Sequence, residues 1–385
     1  METAVGTSSR SDATQAGAGA VEEALSGIDD PKLVYFFASS QYDLDALLSA
    51  ADEQLEEVPL AGCSSMIEIT PDGPEKESVV ALAIGGDDVH AHVGFRTGLE
   101  EGSEEAGYGA ASEALGGVDE KKNTFLTVLS DPLHGTGVDM LAGVNRAADG
   151  DVQITGEFAA DNMEFEHTHV FHNGEAHEDA VICVAVSTDR EIATDKAHGF
   201  QPTPNSYTVT ESDTNVVKEL EGRPPQEVYA EIFGDGESED PAFLLMTPFG
   251  LDVEGEDEYM LRVTLDVDEK GCYACGASVP EGDEVHIMMG QKEDLLDAAA
   301  SASGSVADQL GGTGNVEAAL VFSCVGRDAI YDDPELTQEE VQRVHEQLGE
   351  GTSIIGLYGF GQIAMSGGNG MFHEETISIQ GIGSR

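Results

Sequence analysis

A three-part repetition constrains the fold more than any other feature of this chain. Near residue 4 it reads AVGTSSRSDATQAGAGAVEEAL, near residue 91 AHVGFRTGLEEGSEEAGYGAASEAL, and near residue 285 VHIMMGQKEDLLDAAASASGSVADQL. Each is a short extended piece, a polar link and a helix of small residues. A buried-strand run follows each (KLVYFFASS, NTFLTVLSD, AALVFSCVG), then a helix, then a segment ending in glycine (VPLAGCSS, VQITGEFAAD, TSIIGLYGFGQ). Each unit closes on a further apolar strand: SVVALAIGG, DAVICVAVS and ETISIQGIG. From Val34 to Gly62 is 28 residues, from Phe125 to Gly156 is 31 and from Ala319 to Gly356 is 37. The units are too long for a short-period solenoid. They predict an α/β fold of internally repeated, mixed and mostly parallel sheets fed by crossover helices.

The helices carry the expected periodicity. Leu44, Leu47, Leu48 and Leu55 make one face, and Leu336, Val341, Val344 and Leu348 another. Thr337 followed by Glu340 reads as a capping box at the start of the second helix. Between the second and third units lies a dissimilar stretch, with a turn at Gly222–Pro225 and a solvated acidic loop, GDGESEDP. The chain therefore divides into residues 1–197, holding two units, and 198–385, holding an insert (198–284) and the third unit (285–385).

At 385 residues the chain is long for a single core. Its 75 acidic residues against 17 basic ones give a formal charge of -58, spread along the whole sequence. Such a surface repels itself over about 10 Å at 0.1 M salt but only about 3 Å at 1 M. The composition points to an intracellular protein of an extreme halophile, resembling a haloarchaeal one. It also excludes nucleic acid as a partner, since phosphate binding needs clustered Lys and Arg, and disfavours anionic lipid. Apolar runs are far shorter than the roughly 20 residues of a spanning helix, and the first residues lack a basic flank and apolar run. The expectation is a cytoplasmic protein without a secretory signal. Five scattered cysteines do not suggest a disulfide scaffold.

Ligands in open α/β sheets bind beyond the carboxyl ends of the strands, which directs attention to residues 38–42, 62–69, 130–137, 156–162 and 323–328. Ser323 and Arg327 follow a buried strand, and a guanidinium beside hydroxyls suits a small carboxylate. Pairing of Arg327 with a local acid such as Asp328 is the structural alternative. In YGFGQIAMSGGNGMFH, Gly359, Gly361, Gly367 and Gly368 shape the backbone, while Gln362, Asn369 and His373 offer neutral hydrogen bonds. No nucleoside-triphosphate loop is present, and a dinucleotide fingerprint is weak. His167, His169, His172 and His177 could supply two metal ligands across an Asn173–Gly174 hairpin, but nothing fixes the rest. The lone Cys272/Cys275 pair is weak for zinc or redox chemistry. Cys63 and Ser64 sit on a turn that His373 or His198 could approach, though no G-x-S-x-G elbow is formed. No cofactor is expected.

Taken together, KLVYFFASSQYDLDALL, VPLAGCSSMIEI, SVVALAIGG, ITGEFAAD, FEHTHVFHNGE, AHGFQP, VFSCVGR and IIGLYGFGQIAMSGGNGMFHEETISI resemble the FIST family, with its N-terminal and C-terminal parts. The resemblance runs in family order across nearly the whole chain. It implies a small-ligand-binding sensory protein of intracellular signal transduction, with amino acids or related carboxylates as ligands. The site residues it suggests are Cys63, Ser64, Asp161, Ser323, Arg327, Tyr358, Gln362, Asn369 and His373, with Gly62, Gly156 and Gly356 shaping the backbone. Other members are fused to output domains; here an output protein in trans is expected. The family commonly has Gly-Glu-Ile in both glycine loops, where this chain has Met66-Ile67-Glu68-Ile69 and Gly361-Gln362-Ile363. The second change removes a carboxylate. A protein-interaction scaffold without a small ligand, or less readily an acyl-transfer or hydrolytic enzyme, are the competing readings.

Overall fold

The computed structural model describes residues 1–119, 122–148, 150 and 152–384. The first unit comprises β1 (Glu2–Ser8), α1 (Ala13–Leu25), β2 (Pro31–Ser39), α2 (Leu44–Asp52), β3 (Leu60–Ser65), a hairpin of β4 (Ile67–Thr70) and β5 (Gly73–Glu75), and β6 (Val79–Gly85). The second repeats it with β7 (Val89–Thr97), α3 (Leu99–Gly116), β8 (Asn123–Ser130), α4 (Gly137–Ala148) and β9 (Gln153–Phe158). Its hairpin is β10 (Val170–His172) and β11 (Glu175–His177), and it closes on β12 (Ala180–Thr188). Helix starts follow local chemistry, with the Asp12 and Asp43 carboxylates accepting N–H groups at the first turns of α1 and α2.

The third unit opens with β13 (Ile192–Ala197), not with VHIMM as the repeat suggested. VHIMM lies in the insert, which comprises β14 (Gln201–Asp213), β15 (Val216–Leu220), α5 (Pro225–Phe233), α6 (Pro241–Leu245), β16 (Phe249–Leu251), β17 (Met260–Arg262), β18 (Thr264–Val267), β19 (Tyr273–Cys275) and β20 (Glu284–Met289). Its strands form one seven-stranded sheet over a separate core of Tyr229, Phe249, Tyr273 and Val285. The third unit then resumes with α7 (Lys292–Gln309), β21 (Val316–Cys324), α8 (Val325–Tyr331), α9 (Pro334–Leu348), β22 (Ser353–Gly359), the hairpin β23 (Gly361–Ser366) and β24 (Asn369–His373), and β25 (Ile377–Gly383). The insert thus separates the opening strand of the third unit from its helix. Short apolar strands read alike, and only pairing tells which sheet takes them.

Each unit builds a mixed sheet. One parallel pair, β2–β3, β8–β9 or β21–β22, is fed by a crossover helix, and antiparallel neighbours complete it. The hairpin of each unit leaves its own sheet. The hairpin β4–β5 pairs on β22, β10–β11 on β3, and β23–β24 on β9, so the three units exchange hairpins in a closed cycle. The inner faces share one core, to which Tyr35 and Phe37, Phe125 and Leu129, and Leu320 and Phe322 contribute from the three sheets. A polar thread runs inside it, where Tyr35 Oη lies 3.0 Å from Thr127 Oγ1, and Thr127 and Thr155 both reach Gln380. Helix pairs cover the outer faces.

One cap differs from expectation. The helix α9 starts a turn before Thr337, with Asp333 as N-cap accepting from Glu335 N at 3.0 Å and Pro334 behind it. Thr337 instead donates to Asp328, and Glu340 turns inward to an arginine.

Candidate functional site: the strand ends at the junction of the three units

The strands β3, β9 and β22 finish at the same end of the molecule, and each chain then crosses into the neighbouring unit. Gly62, Gly156 and Gly356 lie at matching register against Phe36, Val128 and Val321. A Cβ there would come within 1.6, 1.8 and 1.9 Å of those residues' carbonyl oxygens, so only glycine allows the parallel strands to close. Beyond them the crossings are tied in a ring. Met66 N donates to Tyr358 O at 3.3 Å, Ala160 N to Ser64 O at 2.9 Å, and Phe360 N to Phe158 O at 3.1 Å. Ahead of each final strand stands an acid in the left-handed region: Glu77, Asp179 and Glu375, with φ of 54, 51 and 51°.

Buried acids gather at this ring. Glu68 accepts Ser65 Oγ at 2.5 Å, Ser78 Oγ at 2.7 Å and Ser78 N at 3.1 Å, and burial raises its pKa to about 7. Gln362 occupies the corresponding place in the last hairpin, its Oε1 accepting from Thr376 N at 3.3 Å. Its amide donates at 3.1 Å to both oxygens of Glu157, whose carboxyl burial pushes well above the usual range. The carboxylate missing at 362 is thus supplied by the neighbouring unit. The sequence signal for Glu157 is an acid inside the strand run QITGEF.

Arg327 is wholly buried and its donors are all engaged. Nε binds Glu340 Oε1 at 3.0 Å, Nη1 reaches His198 O at 3.1 Å and Glu375 O at 3.3 Å, and Nη2 reaches Leu295 O at 2.8 Å and Tyr331 Oη at 3.4 Å. Ser323 Oγ donates to the same Glu340 oxygen at 3.0 Å. The partner acid is therefore Glu340, not Asp328. The arrangement recurs in the first unit at the same offset from the glycine-facing residue. There the Tyr42 hydroxyl lies 2.9 Å from Arg10 O and 2.8 Å from Glu77 O. In the second unit His134 Nδ1 reaches Asp131 Oδ2 at 2.6 Å, and that oxygen accepts Asp179 N at 2.6 Å. In each case a side chain locks the left-handed acid before the last strand. Arg327 does so for the third unit, and in doing so holds the insert at His198.

Around this lock Glu375 Oε2 and Tyr358 Oη lack a hydrogen-bond partner, and His198 Nε2 meets only the Tyr259 backbone, short of full hydrogen-bond geometry. His198 Nδ1 accepts Phe200 N at 2.9 Å, which places the proton of the neutral ring on Nε2. Burial, with the Arg327 charge second, lowers its pKa to about 4, so the ring is neutral at ordinary pH. Burial raises the Glu375 carboxyl to about 8, and it raises the Tyr358 phenol as well. Buried polar groups so poorly met are rare in proteins, and these three belong to the insert entrance and to the two ends of the 356–376 stretch.

Cys63 is buried in the shared core, and burial, then Glu157 and Glu68, pushes its thiol up. Ser64 Oγ accepts His169 N at 3.0 Å. The Asp161 carboxylate accepts the N–H groups of Glu164, Phe165, Glu166 and His167 at 2.9–3.3 Å. His373 is buried against Ser366 Oγ at 3.2 Å, while Asn369 stands exposed at the hairpin tip beside Gly367 and Gly368, whose φ values are 56 and 80°. Gly359 and Gly361 are crowded by Glu157 and Phe372. Ser323 and Arg327 therefore converge on Glu340, near enough for its charge to act on Tyr358, and Gln362 binds Glu157, whose charge acts on Cys63; Asn369 meets neither acid. The histidines divide: His167 pairs with Glu178 at 2.7 Å, and His172 and His177 lie against Phe95. Among the described residues no group of three metal-binding side chains converges, and the described cysteines are free. An open cavity of about 990 Å³ lies at the opposite strand ends by Leu115, Lys122, Val152 and Ile192, away from these buried acids.

The raised carboxyls set a pH dependence. Glu68 and Glu374 lie at about 7 and Glu375 at about 8, against about 4.3 unfolded. The folded state binds more protons between those values, so stability falls as pH rises through them. Buried His198 and His373, with lowered values, act in the opposite sense below about 6.5. At constant salt the melting temperature should rise from about pH 8.5 to about pH 6.5 and rise less steeply below it.

Two family models match the chain: the FIST N domain over residues 32–223 and the FIST C domain over residues 225–365. A comparison with curated proteins finds no match. Among solved structures the chain is similar to the cyanuric acid hydrolase of A. caulinodans, at 8% identity and a TM-score of 0.41, covering 100% of this chain and 99% of that one. It is also similar to phosphoribosylformylglycinamidine synthase II of Thermotoga maritima, at 10% identity and a TM-score of 0.23, over 99% of this chain and 71% of that one. These scores carry no inference about chemistry. No helix among the described residues is long and apolar enough to cross a membrane. With both domain models in order over most of its length, the chain belongs to the FIST family, whose domains are sensory modules of signalling proteins.

Proposed function

We propose that the protein is a small-ligand sensor in intracellular signal transduction, and that it takes an amino acid or related small carboxylate where the insert closes on the third unit. The observation that carries this reading is the pair of unpartnered buried atoms, Glu375 Oε2 and Tyr358 Oη, with the weakly engaged His198 Nε2 beside them, around the Arg327–Glu340 pair. The imidazole N–H and the phenol are donors suited to a carboxylate, and a Glu375 carboxyl protonated at neutral pH is a third. Arg327 orders the backbone around them, so binding requires the insert to part from β23–β24 rather than a guanidinium held free. Native mass spectrometry of gently purified protein tests the reading. A metabolite retained at one copy per chain supports it, and bare protein moves the assignment to a scaffold.

The acidic surface is proposed to be an adaptation to molar salt. Several described arginines are already crowded by acids, as Arg343 is by Glu293, Asp297 and Glu339, so added cations rather than new ion pairs must relieve the repulsion. Dilution from molar potassium chloride to about 0.1 M should lower the melting temperature by several degrees; an unchanged value rejects the adaptation.

A further inference from the structure

The loop after β9 holds exposed apolar side chains at the expense of its backbone. Met163 and Phe165 have φ of 65 and 53°, a region that favours glycine, and are 43% and 47% exposed. The strain is sustained by Asp161, whose carboxylate collects four successive N–H groups of the loop. The Phe165 ring stacks on Phe360, with centroids 4.4 Å apart and planes 9° apart. Phe360 belongs to the ring of crossings where the three units meet, and its own N–H is tied to Phe158 O. Glu164 and Glu166 flank Phe165 and are exposed. A pre-ordered apolar pair within an acidic rim is a poor choice for solubility and a good one for docking, since a rigid loop loses little freedom on binding.

We infer that Met163, Phe165 and Phe360 form a docking surface for a partner protein segment with an apolar anchor flanked by Lys or Arg. Charge complementarity selects that occupant: a second copy would bring another charge of -58, whereas basic flanks meet Glu164 and Glu166. The inference rests on the sensory reading only in that a sensor needs an output partner, and the surface is separate from the His198–Tyr358 atoms.

The test uses the full chain and a fluorescein-labelled peptide with Trp and Leu between lysines, its twin carrying glutamates in their place, and anisotropy at low and molar salt. At low salt the lysine peptide should bind at least ten-fold tighter than the glutamate peptide, a preference that molar salt reduces. Its affinity should fall at least ten-fold in Phe165→Ser and Met163→Asn, and hold in Tyr108→Ser, which removes an exposed aromatic elsewhere on the surface. Asparagine tolerates the left-handed region, so Met163→Asn should melt no lower than the wild type, which separates lost docking from lost folding. Equal affinity for both peptides at low salt, binding unaffected by either substitution, or no binding overturns the proposal. A dimer by light scattering that Phe165→Ser dissolves also overturns it, in favour of a second copy. Loss of docking with any metabolite-induced stabilisation intact leaves the ligand reading standing, and peptide binding by a protein that no metabolite stabilises sinks only that reading.

Discussion

Arg327→Leu should destabilise the fold by about 3–5 kcal/mol, the range for removing one partner of a buried ion pair. Glu340 would be left as a buried charge without its guanidinium, with only hydroxyls such as Ser323 Oγ and Tyr331 Oη to meet it. The His198, Glu375 and Leu295 carbonyls would lose their donors at the same time. Adding Glu340→Leu should recover part of the loss, because the stranded carboxylate is gone, yet the double variant should stay below the wild type, because the carbonyls are still unmet. Denaturant unfolding of the three proteins measures this. A variant Arg327→Leu as stable as the wild type would show that the guanidinium is not the lock described here.

Alanine at Gly62, Gly156 or Gly356 should be as damaging. The added Cβ would lie 1.6–1.9 Å from a carbonyl of the paired strand, which is backbone and cannot swing aside. Overpacking usually costs about 1–3 kcal/mol, and a backbone clash inside a parallel pair belongs at or above the top of that range. The three variants should behave alike, since each opens the corresponding pair of its own unit. Gly150→Ala is the control, because nothing lies near its Cβ, although its φ of 78° carries a modest strain. Soluble yield and thermal melts read the result; three different outcomes would argue against the equivalence of the units.

Much of this architecture was readable in advance because it repeats. The strand runs, the helices α2 and α9, the Asn173–Gly174 hairpin turn and the glycines at 62, 156 and 356 all lie on the elements expected from them. The hairpin exchange was not readable, because IEIT, VFH and GQIAMS carry no mark of which sheet they join. For the same reason VHIMM stood in for IATDKA as the opening strand of the third unit. At the candidate site, Arg327 stands out in the sequence as a rare cation after a buried strand, but its partner is thirteen residues on in α9, where the spacing from Thr337 marks Glu340 as a cap. Composition and spacing show which residues are unusual, whereas hydrogen-bond saturation needs coordinates. That saturation leaves Tyr358 as a more informative probe of ligand binding than Arg327, whose loss would confound binding with folding.

Tyr358→Phe removes one unpartnered hydroxyl and nothing else, so the empty protein should melt at the wild-type temperature or slightly above it. The most direct test is a thermal-shift screen of amino acids and small carboxylates in molar salt, run in parallel on the wild type and this variant. At least one compound should raise the melting temperature of the wild type and have a clearly smaller effect on Tyr358→Phe. No stabilising compound, or one that stabilises both proteins equally, would contradict a ligand site at this seam.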